Sequence, residues 1–282
     1  MNPFPPGSLF DTHCHLDAAE FDADRAAVIA DALSAGVGAM LIPAVEVANF
    51  AAVQALCAAP QPSSWSDGDS LRLQKIALHA AFGIHPMYTP RAKNEDIATL
   101  RQWLRDEKPL AVGEIGLDGF VPGLDMARQE WFFVEQLKLA REFDLPVVLH
   151  IRRAQDLVLK QLRRIGVKGG IAHAFNGSRQ QADAFIKLGF KLGFGGAMTF
   201  AGSSRIRALA AELPLESLVL ETDAPDIPPS WLAGGRNTPG QLAAIGEVLA
   251  MLRGLAPDWI AKSCTNNALE VFSGNIDPSP KS

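Results

Sequence analysis

The stretch FDTHCHLD places His13 and His15 one residue apart, just behind the acidic Asp11. In an extended chain side chains alternate, so Asp11, His13 and His15 share one face while Phe10, Thr12 and Cys14 take the other. Two imidazoles on one face make a ready ligand pair for a divalent cation. The competing reading, two packed histidines, leaves ionisable rings inside a core without partners, which is costly. Ligation is the better account.

Other residues of metal-binding type close short apolar runs: His85 in GIHP, Glu114 in LAVGEIG, His150 in LPVVLH, His173 in GGIAHAF and Asp223 in SLVLETDAP. Of the six histidines, only His79 starts its run, and it reads as structural. Alternation pairs Val112 with Glu114, Val148 with His150, Ile171 with His173, and Glu221 with Asp223. Taken alone, His150 or His173 would read as a core histidine, Glu114 as a cap on the turn-rich GEIGLDG, and Asp223 as a helix cap. Their shared placement favours ligands. His13, His15, His150 and His173 with Glu114 and Asp223 suit two divalent cations better than one. A shared carboxylate holds such ions roughly 3.5–4 Å apart, and Glu114, from a middle run, is the natural bridge. Imidazoles favour zinc, while carboxylate and water admit magnesium or manganese.

His85 exceeds this ligand count and is assigned to substrate or a metal-bound water. Arg152, two residues past His150, is assigned to a phosphate, whereas Arg153 and Arg163–Arg164 read as a solvated helix face. Cys14 reads as buried packing. Glu221 reads as either an orienter of a histidine or a buried carboxylate.

The elements that must position these groups follow from periodicity. Apolar runs alternate with amphipathic stretches eight times, from SLFDTH with DADRAAVIADALSAG to SLVLETDAP with GQLAAIGEVLAMLRG. That alternation predicts a parallel sheet covered by helices, and eight repeats are the number that closes a TIM (β/α)8 barrel. In a barrel the carboxyl ends of the strands converge on one mouth, where the six ligands would meet. PDWIAKSCTNNALEVF predicts an extra helix, PQPSSWSDGDSLRLQK a surface insertion, and GNIDPSPKS a loose tail. A single domain over residues 1–282, with its core at about 9–273, is expected.

Composition bounds the function. The chain has 282 residues, 48% of them hydrophobic, and a formal net charge of −5. An acidic balance argues against a clamp on duplex nucleic acid, although bound cations add positive charge that residue counting misses. The three cysteines form no disulfide framework. With no signal-like start and no long apolar run, a cytoplasmic protein without membrane contact is expected. No GxSxG elbow or GxGxxG loop is present.

Seven motifs in order, DTHCHLD, GIHP, GEIGLD, LPVVLH, HAFNGS, GFGG and ETDAP, resemble the TatD family of metal-dependent hydrolases, which belongs to the amidohydrolase-type barrels. The resemblance runs from about Phe10 to Phe272. It implies one metal on His13, His15 and Asp223, a second on His150 and His173, and Glu114 between them. It also implies a deoxyribonuclease, 3′–5′ exonuclease-like, in which a water activated by two metals attacks the phosphodiester bonds of DNA ends. Asp223 would accept the proton, and Arg152 and His85 would orient the phosphate. GLDGF, HAFNGS and RNTPG depart from the usual family wording on mouth loops, which bears on substrate preference.

Single-stranded ends are the expected partner, with no obligate protein partner. The alternative keeps the site and changes the bond, to a carboxylic ester or amide such as an aminoacyl-tRNA ester. A metal-binding interaction protein without catalysis would lack a ligand, and none is missing.

Overall fold

The computed structural model describes residues 8–59, 63–64 and 74–273. The expected tail lies outside them. So does the expected insertion, apart from residues 63–64 and 74–75.

The elements are β1 (Leu9–Asp11), α1 (Arg25–Ser34), β2 (Val37–Pro43), α2 (Phe50–Ala58), β3 (Ser63–Ser64), β4 (Gln74–Lys75), β5 (Ala77–Phe82), α3 (Asp96–Glu107), β6 (Ala111–Asp118) and α4 (Met126–Glu142). There follow β7 (Val147–Arg152), α5 (Gln155–Ile165), β8 (Gly170–Ala172), α6 (Arg179–Lys187), β9 (Phe190–Phe194), α7 (Ser204–Glu212), β10 (Leu218–Leu220), α8 (Leu242–Arg253) and α9 (Pro257–Val271). One sheet runs β1-β2-β5-β6-β7-β8-β9-β10, and β3 pairs with β4 separately. The eight-fold strand–helix rhythm of the sequence is thus present, with α9 as the extra helix. No described helix is long and apolar enough to cross a membrane.

Local physics explains the elements. VGAMLIP in β2 is buried at every position, as a continuous apolar run must be when both faces of a parallel sheet are covered. In α6, Ser178 Oγ accepts from Gln181 N at 3.2 Å while Gln181 Oε1 accepts from Ser178 N at 2.9 Å, a reciprocal cap that starts the helix. The α4 helix starts on Asp125, whose carboxylate accepts from Ala127 N and Arg128 N. It buries Phe132, Phe133 and Leu137, and burial of each such side chain stabilises by roughly 1.5–3 kcal/mol.

The chain divides into two compact units. The first comprises Met1–Ile42, Ala55–His79 and Phe194–Leu269. Within it the segment after β1 bends at Thr12, with Thr12 N donating to Leu220 O and Cys14 N to Leu41 O, each at 3.1 Å. The second comprises Pro43–Gln54, Ala80–Gly193 and Glu270–Ser282. Its centre is the parallel pair β6–β7, which matches Gly116 with His150 and Asp118 with Arg152.

Two expectations are corrected in this second unit. GEIGLDG is not a turn-rich loop, because β6 continues through Asp118. Simple alternation from Val112 to Glu114 also fails, because the register shifts between Val112 and Ile115. Such an irregularity re-aims a side chain, here Glu114, whose N–H bonds Ala44 O at 3.0 Å. Beyond it, Gly116 has φ +149, and a Cβ there would lie 1.9 Å from His150 O. Only glycine allows β6 to approach the histidine strand this closely.

Candidate metal centre

In the first unit, His13 and His15 converge as strand alternation predicts. Their Nε2 atoms are 3.2 Å apart, and Asp223 Oδ1 lies 3.5 Å from His13 Nε2 and 3.8 Å from His15 Nε2. His13 is wholly buried and Asp223 is buried. Asp223 reaches this place because its N–H donates to His13 O at 2.8 Å and its backbone is left-handed, with φ +58. Two imidazole nitrogens facing one carboxylate oxygen need a proton or a cation among them.

Beneath this cluster Asp11 has a role that alternation alone does not reveal. Its carboxylate accepts from Thr222 Oγ1 at 2.6 Å, Thr222 N at 3.0 Å and His13 N at 3.3 Å. It therefore ties the HxH segment to the segment carrying Asp223. Burial, only partly offset by these donors, pushes its carboxyl up to about 7. Cys14 is wholly buried and its thiol is pushed well above the usual range by burial, so it is packing. Glu221 is also buried.

In the second unit the centre is one oxygen. Glu114 Oε1 lies 3.0 Å from His173 Nε2, 3.3 Å from His150 Nδ1 and 3.5 Å from His85 Nε2. Glu114 is 2% exposed, so these imidazoles replace water around its charge. The other nitrogen of His150, Nε2, lies 3.0 Å from Asp118 Oδ2. Burial favours the neutral imidazole, but Asp118 and Glu114 outweigh it and raise the His150 pKa. Burial also pushes the Asp118 carboxyl up, yet His150 and the N–H groups of Val121 and Phe120 hold it below the usual carboxylate range. A ligating histidine commonly donates its second N–H to a carboxylate, and His150 is arranged that way, with Nδ1 left to ligate.

His85 differs. Its Nδ1 accepts from Met87 N at 3.2 Å, so in the neutral ring Nε2 carries the proton and faces Glu114 as a donor. That suits the substrate role expected for it rather than ligation. His79 sits early in β5 near Phe10, and burial lowers its pKa to about 4, in keeping with a structural histidine.

Several supporting residues escaped sequence reasoning. Gln129 Oε1 accepts from Asp118 N at 2.7 Å and its Nε2 donates to Asp118 O at 3.1 Å. Gln136, two turns along α4, does the same for Ile84, at 2.6 and 3.0 Å. Both glutamines are wholly buried. They act as side-chain stand-ins for a strand, clamping the backbone beside His85 and at Asp118. In RNTPG, buried Asn237 Nδ2 donates to Thr222 O at 2.8 Å and Asp226 O at 2.9 Å, bracing the turn that carries Asp223. The only sequence signal for these amides was a polar residue inside an otherwise apolar helix face or beside a proline.

Arg152 is exposed, as a phosphate ligand must be. Arg153 is not on a helix face: it follows β7 with φ +54 and lies over the Phe120 ring. Arg163 and Arg164 are exposed at the end of α5, as expected.

The donor sets fit divalent cations. One ligand atom each of His13, His15 and Asp223 lie within 4.8 Å of one another, and Glu114 Oε1 lies within 3.3 Å of a nitrogen of both His150 and His173. Nitrogen and oxygen donors, with no thiolate among them, admit zinc, manganese or magnesium.

Comparison with known proteins agrees with this geometry. A family model described as TatD related DNase matches residues 10–273. The chain is 42% identical over 268 residues to the uncharacterized metal-dependent hydrolase YjjV of Escherichia coli, covering 94% of this chain and 98% of that one. It is 30% identical over 271 residues to the 3′-5′ ssDNA/RNA exonuclease TatD of Erwinia billingiae, covering 94% and 98%. The crystal structure of YjjV superposes with a TM-score of 0.85 over 94% of this chain and 97% of that one. The fold class is therefore the TIM-type (β/α)8 barrel expected from the eight-fold repeat.

Proposed function

This chain belongs to the TatD family of metal-dependent hydrolases, and we propose that it cleaves phosphodiester bonds at single-stranded DNA ends as a 3′–5′ exonuclease. The observation that carries the reading is the buried Glu114 oxygen within 3.5 Å of three imidazole nitrogens. A structural carboxylate has no use for so many titratable neighbours, and a cation-binding centre does. The name 3′-5′ ssDNA/RNA exonuclease carried by a relative of 30% identity supports the choice of bond. A family member with a full ligand set is an enzyme and not a bare metal-binding module.

His13, His15 and Asp223 would hold one divalent cation, and Glu114, His150 and His173 would hold another. Such ions supply Lewis acidity toward a phosphoryl oxygen and lower the pKa of water. The chain's own groups do the rest. The Asp223 carboxylate accepts the proton of the attacking water. Asp118 fixes the His150 ring and its tautomer. His85 Nε2–H and the Arg152 guanidinium donate to the phosphate and hold it in line.

The experiment is to strip the metal, reload zinc, manganese or magnesium singly, and assay single-stranded DNA, an aryl phosphodiester and an aminoacyl ester. The expected result is metal-restored release of nucleotides from 3′ ends, lost in Glu114→Ala and His150→Ala. Activity on the aminoacyl ester alone would reassign the bond. Nuclease activity unchanged in both variants would mark a contaminant and overturn the reading.

A further inference from the structure

Phe120 stands two residues beyond Asp118 with 42% of its surface exposed. The guanidinium carbon of Arg152 is 3.6 Å from its ring centroid and that of Arg153 is 4.6 Å away. Arg25, Arg91, Arg101, Arg179 and Arg236 are each paired with a carboxylate. Arg152 and Arg153 have no such partner among the described residues.

The arrangement is built into the backbone. Gly119 N donates to Arg152 O at 2.7 Å, and a Cβ at position 119 would lie 2.9 Å from Arg153 O. Arg153 is left-handed, with φ +54, a conformation that is unfavourable for a residue carrying a side chain. Asp118 Oδ1 accepts from Phe120 N at 2.8 Å and Val121 N at 2.9 Å, while its Oδ2 faces His150. One carboxylate thus positions both the candidate ligand and the exposed ring. Two adjacent cations repel, and an exposed phenyl ring gains nothing from water. An anion next to a planar ring system would satisfy both.

We propose that Phe120, Arg152 and Arg153 form a nucleotide-docking element: an unpaired base stacks on the Phe120–Arg152 pair, and the two guanidiniums hold the adjoining phosphate. The inference rests on the nuclease reading of the site and names the groups that would hold the strand, an unpaired one because a base within a duplex has no free face to offer.

The test uses the full-length protein, with chelator present so that no substrate is consumed. Binding of short single-stranded oligonucleotides is measured by anisotropy, and stacking by quenching of 2-aminopurine placed near the 3′ end. The expected result is quenching by the wild type, lost in Phe120→Ala together with a roughly 5- to 100-fold weaker affinity. Phe120→Trp restores both. An oligonucleotide that is abasic at the quenched position binds wild type and Phe120→Ala alike. Arg153→Gln lowers the steepness of the salt dependence by about one phosphate contact. If the wild type binds and degrades single strands while Phe120→Ala keeps the same quenching and affinity, this inference falls and the nuclease reading stands. If the wild type neither binds nor degrades them, both fall.

Discussion

Replacing Gln129 by leucine tests the claim that α4 holds the site backbone through side-chain amides. Leucine has nearly the same volume, so packing is preserved and only hydrogen bonding changes. The variant strands Asp118 N and Asp118 O, which Gln129 meets at 2.7 and 3.1 Å. A buried backbone group left without a partner costs about 1–3 kcal/mol, and the buried leucine recovers part of that through its apolar surface. A net loss of about 2–4 kcal/mol follows. Gln136→Leu strands Ile84 N and O in the same manner and should cost as much. Urea unfolding reads the total, and amide exchange reads the place. Exchange at Asp118 should quicken about 30-fold or more in the first variant, since each 1.4 kcal/mol is tenfold. Ile84 should respond most in the second. The two glutamines lie about 10 Å apart along the helix, so each effect should stay at its own strand. A loss below about 0.5 kcal/mol, or the same two amides quickening equally in both variants, would refute the clamp.

Two further predictions concern charge. Asp118→Asn removes the carboxylate that faces His150 Nε2 at 3.0 Å and should weaken metal binding about 10- to 100-fold, read by calorimetric titration of the stripped protein, with circular dichroism unchanged; undiminished affinity would remove Asp118 from its orienting role. His79 has its pKa lowered to about 4 by burial, so below the ordinary value near 6.5 the unfolded chain takes a proton that the folded one refuses. Its contribution to stability is therefore whole above about pH 6.5 and is lost as pH falls toward 4, by up to about 3 kcal/mol at 1.36 kcal/mol per unit. His79→Leu should flatten that part of the pH dependence of the unfolding midpoint, and an unchanged slope would show that other groups carry it.

What was legible in the sequence is what depends on neighbours along the chain. Period-two and helical patterns marked the eight strand–helix units because each element is selected by the face it must bury. The ligand types stood out because imidazoles and carboxylates ending apolar runs have few other reasons to be there. His13 and His15 were legible even as a pair, since two-residue spacing in extended chain sends both rings one way.

Only the tertiary structure decided the groups that work across long separations. Asp11 meets Thr222 over 211 residues and Gln136 meets Ile84 over 52. Spacing along the chain carries no record of such partners, so a buried glutamine and a solvated one look alike in a helix. The irregularity at Val112–Ile115 likewise came from pairing with β7, which no local pattern encodes, and it is that pairing that aims Glu114. The stacking of Arg152 and Arg153 on Phe120 belongs to the same class. Residue type proposes a ligand, and the hydrogen bonds that reach it from elsewhere in the fold determine its tautomer and its aim.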